Sequence, residues 1–494
     1  MLSPDEYVSH DAVALAAMVQ RREVTPSELL ASAWSRMEAM NPAINAVCWP
    51  DRDVGERAAA IADIHAPFAG VPFLLKDGGA SAEGLRLTFG SRSAMSYFPA
   101  ADGELTKRYR RAGLVIFGRT TAPEYGINVT CEGPLYAGPT KNPWDLRRSA
   151  GGSSSGAAAA VAAGIVPMAH GSDGGGSLRI PASCCGLFTL KVTRARMPHG
   201  PGASESWSGM ATSNVITRSV RDSAAALDAT HGPDLGAPYV APAPATTFMQ
   251  AIAMPPRALR IGLLTAAPSG ATVHPDCVYA AEDAARLCES LGHIVEPVTS
   301  HEIDFARMAS VMRALVCANT ANEMKAMSAM FDRPLSPTEF EAATWSAHDL
   351  GMGMSATDYL SSLHAMHRIG RKIAALVDQF DLLLTPTLAE PPAMLGRFVM
   401  DCDYVTHRTN TLAYAPFTPL ANVSGQPAMS VPLHWNEDNL PIGVQFIAPY
   451  GDEAMLLALA AQLESARPWA ARRPDLQDQR RRDSVPATAS IGRK

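Results

Sequence analysis

Residues 149–181 read SAGGSSSGAAAAVAAGIVPMAHGSDGGGSLRIP. Two glycine-serine clusters, Gly151 to Gly156 and Gly174 to Ser177, bracket an alanine-rich segment and an apolar run. The pattern predicts a helix over Ala157 to Ala163 and a buried strand over Ile165 to Ala169. A flexible linker would be Gly/Ser-rich throughout. Glycine costs conformational entropy and belongs where backbone turns sharply or closely approaches a ligand. Two such places, each carrying serine and each adjoining a folded element, mark a site and not a hinge.

Upstream, Gly70 to Asp77 (GVPFLLKD) reads as a short apolar strand that delivers Lys76 into a glycine turn. Leu114 to Phe117 reads as a second buried strand. Further apolar runs recur at Ile261 to Leu264, Leu382 to Leu384, Ala428 to Val431 and Val444 to Ile447. Helical patterns lie between them at Asp276 to Leu291, Phe305 to Met330, Asp358 to Phe380 and Asp452 to Leu463. Near the start, His10 to Arg21 is amphipathic. Thr25-Pro26-Ser27-Glu28 opens a helix with a capping box and a first-turn proline, predicted to stop near Asn41-Pro42. Alternating helices and short buried strands predict an α/β fold with a central mixed, twisted sheet covered by helices on both faces. Pro233 to Pro256, rich in Ala and Pro, reads as a linker between two halves.

A chain of 494 residues with 47% hydrophobic and 18% charged residues has ordinary globular composition. Its net charge of −6, without a basic stripe, excludes the concentrated positive surface that nucleic acids need. Arg480-Arg481-Arg482, with Arg472 and Arg473, reads as part of a solvated tail. The eight cysteines form no CxxC pair, which fits buried, reduced thiols in a cytoplasmic protein. The N-terminal residues lack a signal pattern, and no apolar run reaches the ~18 residues of a membrane span. His364 and His367 form an HxxH pair without the surroundings of a metal site.

Serine is a weak nucleophile until a base takes its proton. His170, near Ser177 in sequence, ends the predicted apolar strand and reads as a core or surface histidine. Lysine serves as a base when burial depresses its pKa. Lys76, behind four apolar residues, is the candidate, and a lysine snorkelling to water is the competing reading. Gly174, Gly175 and Gly176 before Ser177 allow several N–H groups to converge, as an oxyanion hole requires. Gly152 to Gly156 matches G-x-S-x-G formally, but no buried strand leads into it. Neither cluster precedes Gly-Lys-Ser/Thr, so a phosphate loop is excluded.

These residues resemble the amidase signature family. Its glycine-serine stretch, its D-x-G-G-S-[IL]-R-x-P block and its upstream lysine are similar to Gly151–Gly156, Asp173–Pro181 and Lys76, with Ser153 and Ser177 at the family spacing of 24. The likeness extends to TPSELL, GPTKNPWD, NVSGQPAMSVP and PIGVQFIAPYGDE, nearly the whole chain. It implies an amidase signature fold in one large domain: an N-terminal helical section at 1–65, a catalytic half at 66–240, a second half with pocket-lining helices at 257–470, and a polar tail at 471–494. It implies a serine hydrolase of C–N bonds in small amides, anilides or carbamates, and of the C–O bond in esters. In this reading Ser177 attacks, Ser153 (in a cis peptide bond) relays protons, and Lys76 is the ultimate base. Ser154 and Asp173 orient the centre, Arg179 anchors it, and no metal or organic cofactor is needed. A homodimer is common among such proteins.

The chain departs from the family where Gly174 follows Ser172-Asp173, since many relatives carry isoleucine or threonine there. Cys131 occupies a loop where small residues often line the cleft. The resemblance places a pocket cysteine at Cys317 in ALVCANTANE, with a buried inert thiol as the other reading. Ala203 to Asn214 and Met394 to Leu412 are the expected specificity loops, and Met352, Met354 and Met394 a candidate apolar wall. Two other functions stay open: a glutaminase-type subunit of a tRNA-dependent amidotransferase, and a catalytically silent binding protein.

Overall fold

The computed structural model describes residues 2–476; Arg480 to Arg482 and the rest of the predicted tail from residue 477 lie outside the described residues, whereas Arg472 stacks over Trp435 and Arg473 donates to Val8 C=O instead of being fully solvated. In chain order the strands are β1 (Val47–Cys48), β2 (Pro72–Lys76), β3 (Val115–Thr120), β4 (Lys141–Asn142), β5 (Asp145–Ser149), β6 (Met168–Asp173), β7 (Phe188–Lys191), β8 (Thr212–Thr217), β9 (Arg260–Leu263), β10 (Ile294–Pro297), β11 (Leu382–Pro386), β12 (Ala428–Trp435) and β13 (Pro441–Ile447). Eleven of them form one sheet in the order β1-β3-β2-β6-β8-β7-β12-β13-β11-β9-β10, and β4 and β5 pair separately. The sheet is mixed: β2 runs parallel to β3 and β6, whereas β6, β8, β7, β12, β13 and β11 alternate antiparallel.

Alternation along the strands shows why both faces are covered. On β11, Leu382 and Leu384 join one hydrophobic cluster and Leu383 the other; on β13, Phe446 and Ile447 divide in the same way. Successive side chains of a strand point to opposite faces, so a fully apolar run needs helices on each. The alanine-rich helix Ser155–Ala162 packs one side of the site, and its alanines are buried along their whole length. The helix Phe305–Met330 packs in the second cluster.

Several boundaries differ from expectation. The strand expected at Ile165 to Ala169 runs instead from Met168 to Asp173. This places His170 inside it, and Ser172 and Asp173 at its end. The Thr25-capped helix continues to Ile44 with Pro42 in its last turns. Strands β1, β4, β5, β7, β8 and β10 have no counterpart among the predicted strands. Between the halves, residues 233–256 carry only the short helix Phe248–Ile252, and the strands on either side belong to the same sheet. Thr25 and Glu28 form the predicted capping box. Thr25→Ala should therefore lower the unfolding free energy by about 1 kcal/mol, read as a shift in denaturant midpoint.

Candidate active site

Lys76 is the last residue of β2 and is held at three points. Its N–H donates to His170 Nδ1 at 3.2 Å, its C=O accepts from Arg119 Nη1 at 3.0 Å, and its Nζ lies 2.6 Å from Ser153 Oγ and 2.9 Å from Ser172 Oγ. The side chain is 2% exposed, so the amine points into the molecule and does not snorkel. Burial pushes its pKa down to about 7, against an opposing pull from the Asp173 carboxylate. His170 is buried, and burial followed by the charges of Lys76 and Arg119 lowers it to about 3. It is a neutral ring whose Nδ1 positions the lysine strand. The roles of His170, Arg119 and Ser172 here had no signature in the sequence, because their partners lie on neighbouring strands.

The Gly152–Ser153 peptide is cis. Ser153 leads into the helix Ser155–Ala162, and Ser154 clips that helix to β6: its Oγ donates to Ser172 C=O and accepts from Ser172 N–H, both at 3.2 Å. The Ser154 N–H in turn donates to Ser177 C=O at 3.2 Å. Lys76, Ser153 and Ser177 thus face one cavity. Among the described residues the Lys76–Ser153 contact is made, and a hydrogen bond between the Ser153 and Ser177 hydroxyls is not.

The loop before Ser177 is organised by a buried ion pair. Asp173 Oδ1 accepts from Arg179 Nη2, Asn422 Nδ2 and Gly176 N–H, each at 2.8 Å; Oδ2 accepts from Arg179 Nε at 2.9 Å and Leu178 N–H at 3.2 Å. Burial works to raise the Asp173 pKa, but the Arg179 charge and these bonds hold it at about 2. One consequence corrects the sequence reading: the Gly176 N–H is already donated to a carboxylate. Gly176 instead serves the turn, at φ 131° with no room for a Cβ beside Thr418. Among the described residues the N–H groups of Gly174, Gly175 and Ser177 have no acceptor.

The cavity in front of these groups measures about 730 Å³. Its walls include Phe89, Tyr97, Tyr125 and Trp207, together with Asn319, Glu323 and Met330 of the helix Phe305–Met330. Glu323 carries a carboxyl that burial pushes up to about 7. The expected loop Ala203 to Asn214 lines the cavity in part, through Glu205, Ser206 and Trp207 among others. Met394 to Leu412 does not line it, and Met352 and Met394 are exposed instead. Cys131 and Cys317 are not among the lining residues. Cys131 is buried beside Thr140 and Thr121, and Cys317 faces the second hydrophobic cluster; burial pushes both thiols up to about 12. The helix presents Asn319 and Glu323 to the cavity, whereas Cys317 is turned into the cluster.

An α/β sheet of this order, with this lysine and these two glycine-serine turns at its centre, identifies a class: the chain belongs to the amidase family, whose model matches residues 28–457. It is a hydrolase acting on C–N bonds of amides. The chain is 36% identical over 478 residues to the 6-aminohexanoate-cyclic-dimer hydrolase of Paenarthrobacter ureafaciens, covering 94% of this chain and 96% of that one. A solved 6-aminohexanoate cyclic dimer hydrolase complexed with substrate superimposes with a TM-score of 0.90 at 36% identity, covering 95% and 99% of the two chains. A bacterial aryl acylamidase of the amidase signature enzymes gives a TM-score of 0.86 at 28% identity, covering 95% and 98%. Among the described residues no helix is long and apolar enough to cross a membrane.

Proposed function

We propose that this chain hydrolyses small amides through an acyl-enzyme on Ser177, with Ser153 and Lys76 as its proton relay. The observation that carries the reading is the 2.6 Å approach of a buried Lys76 amine to Ser153 Oγ, at a pKa of about 7. Ser177 Oγ attacks the carbonyl carbon and passes its proton to Ser153 Oγ, which passes its own to Lys76 Nζ. The Ser153–Ser177 contact is one that tightens in the substrate complex. Negative charge developing on the carbonyl oxygen is met by the N–H groups of Gly174, Gly175 and Ser177, fixed in advance by the Asp173–Arg179 pair. Collapse breaks the C–N bond, and the relay returns the proton to the leaving amine. Water then attacks the acyl-enzyme as Ser153 and Lys76 take its proton, and collapse breaks the acyl C–O bond as the relay returns that proton to Ser177 Oγ.

Linear and cyclic amides of nylon-oligomer type, anilides and small carbamates are the substrates to offer, given the relatives that the chain is similar to. Mass spectrometry of each with the purified chain alone tests the reading, with glutamine beside them. Cleavage of a neutral amide and an acyl adduct trapped on Ser177 are expected. Cleavage of glutamine alone favours the amidotransferase-type subunit, and an adduct on another serine overturns the nucleophile.

The pH profile follows from Lys76. Only the neutral amine accepts a proton, and it predominates above a pKa of about 7. On the acid side, kcat/KM should fall by roughly tenfold per pH unit below that value and level off above it.

A further inference from the structure

Three aromatic residues of the cavity wall stand on left-handed backbone: Phe89 at φ 54°, Tyr125 at φ 49° and Trp207 at φ 49°. For a bulky L-residue this conformation costs about 1–2 kcal/mol and persists only where neighbouring contacts hold it. Those contacts are present. Tyr125 N–H donates to Phe89 C=O at 2.8 Å. Beside Trp207, Ser208 Oγ meets Tyr359 Oη at 2.9 Å and Asn319 Nδ2 at 3.0 Å, and Arg194 Nε donates to Gly209 C=O at 2.6 Å.

Three of the rings stack with Phe89 at the centre, and Trp207 lies apart from them on the nucleophile side of the same cavity. Tyr97 and Tyr125 lie nearly parallel to Phe89, with centroids at 6.3 and 6.2 Å and interplanar angles of 15° and 11°. The Trp207 ring lies against the backbone of Gly174, immediately beside the nucleophile loop. A Cβ at position 174 would come within 2.6 Å of Trp207 Cε3 and 2.9 Å of Cζ3. The glycine at this position therefore makes space for an indole. Phe89, Tyr97 and Trp207 are only half-buried, because their remaining surface faces the cavity that also holds Ser177.

We propose that Trp207, with Phe89, Tyr97 and Tyr125, forms a subsite for a planar aromatic group of the amide substrate, and that Gly174 is the seat that holds the indole against the reacting carbonyl. This rests on the hydrolytic function proposed above and names its substrate class. Aromatic faces reward a flat ring by offset stacking and by area burial, and a puckered ring of the same carbon count gains less.

Two matched pairs test it: N-benzylacetamide against N-(cyclohexylmethyl)acetamide, and phenylacetamide against cyclohexylacetamide. Each pair differs in planarity while keeping similar leaving amines, so the ratio of kcat/KM within a pair reads the subsite. In the wild type at least one ratio should favour the aromatic member by about tenfold. Trp207→Ala should bring that ratio below about threefold, chiefly through KM, and Trp207→Phe should restore most of it. Gly174→Ala, which displaces the indole, should lower the same ratio. The double variant Gly174→Ala/Trp207→Ala should then match the ratio of Trp207→Ala alone, as coupled neighbours do. Turnover without discrimination in either pair, or a ratio that survives Trp207→Ala, overturns the subsite and leaves the hydrolytic reading standing. No turnover of any of the four by an enzyme that cleaves another neutral amide overturns the subsite, and no turnover of any neutral amide overturns both.

Discussion

Ser177→Ala should lower kcat on any amide substrate by about 10,000-fold or more, and Lys76→Met should do nearly the same. The double variant should be no slower than either alone, because a nucleophile without its base and a base without its nucleophile are equally idle. Steady-state kinetics on one amide, with all three variants confirmed as folded, checks the expectation. Additive losses would mean that the two residues act in separate steps. The Lys76 variant carries a second readout. The amine has an ordinary pKa of 10.5 and is pushed down to about 7 in the fold, so between these values the unfolded chain binds one more proton than the native one. Stability then rises with pH across that window. At pH 7 the buried amine is a burden on the fold, and Lys76→Met should have a higher Tm than the wild type. The gap should narrow as the pH approaches 10.5.

How much of this was legible in the sequence depends on whether the deciding partner is local. The strand ending in Lys76 was readable because four apolar residues precede it. The helix Phe305–Met330 was readable because its apolar spacing is unbroken over 26 residues. The strand β6 was displaced in the reading because its second half, His170 to Asp173, is polar. His170 Nδ1, the Ser172 backbone and Asp173 are bonded inside the molecule, by the Lys76 amide, by Ser154 and by Arg179, so the apolar pattern ends before the strand does. Strands β7 and β8 were missed for a related reason: Thr189 and Asn214 are buried polar residues bonded to backbone carbonyls. For Cys317 the helix was right and the facing was wrong, since periodicity gives a buried stripe and does not say which part of it borders a cavity. Gly174 was visible as a departure, but its cause was not. Trp207 lies on a loop beyond β7, and no local pattern links an indole to a missing side chain in an earlier turn.

The largest effect on stability is expected from Arg179→Ala. Arg179 and Asp173 are both fully buried and joined by two hydrogen bonds, and the guanidinium also donates to Thr418 C=O at 2.8 Å, Gln445 Oε1 at 2.5 Å and Asn422 Oδ1 at 2.7 Å. Removing one partner of such a pair leaves an uncompensated charge and costs about 3–5 kcal/mol. A denaturant titration should show this as a lower midpoint, and an unchanged midpoint would count against the pair as the support of the loop. The Asp173 pKa is held at about 2 against an ordinary 3.8, so the pair's contribution is present above the ordinary value and is lost as pH falls towards 2. In the variant burial is no longer offset by the guanidinium and raises the carboxyl above its ordinary value, so the dependence should reverse, with stability falling as the pH rises past 3.8. Turnover should fall as well, by about tenfold or more, because the Gly176 and Leu178 amides lose the fixed carboxylate that sets the loop. Arg179→Lys should recover part of the stability and less of the turnover, since an ammonium keeps the charge but cannot hold two carboxylate oxygens and three further acceptors in one plane. The separation of those two recoveries distinguishes a residue that balances charge from one that also aims the N–H groups beside Ser177.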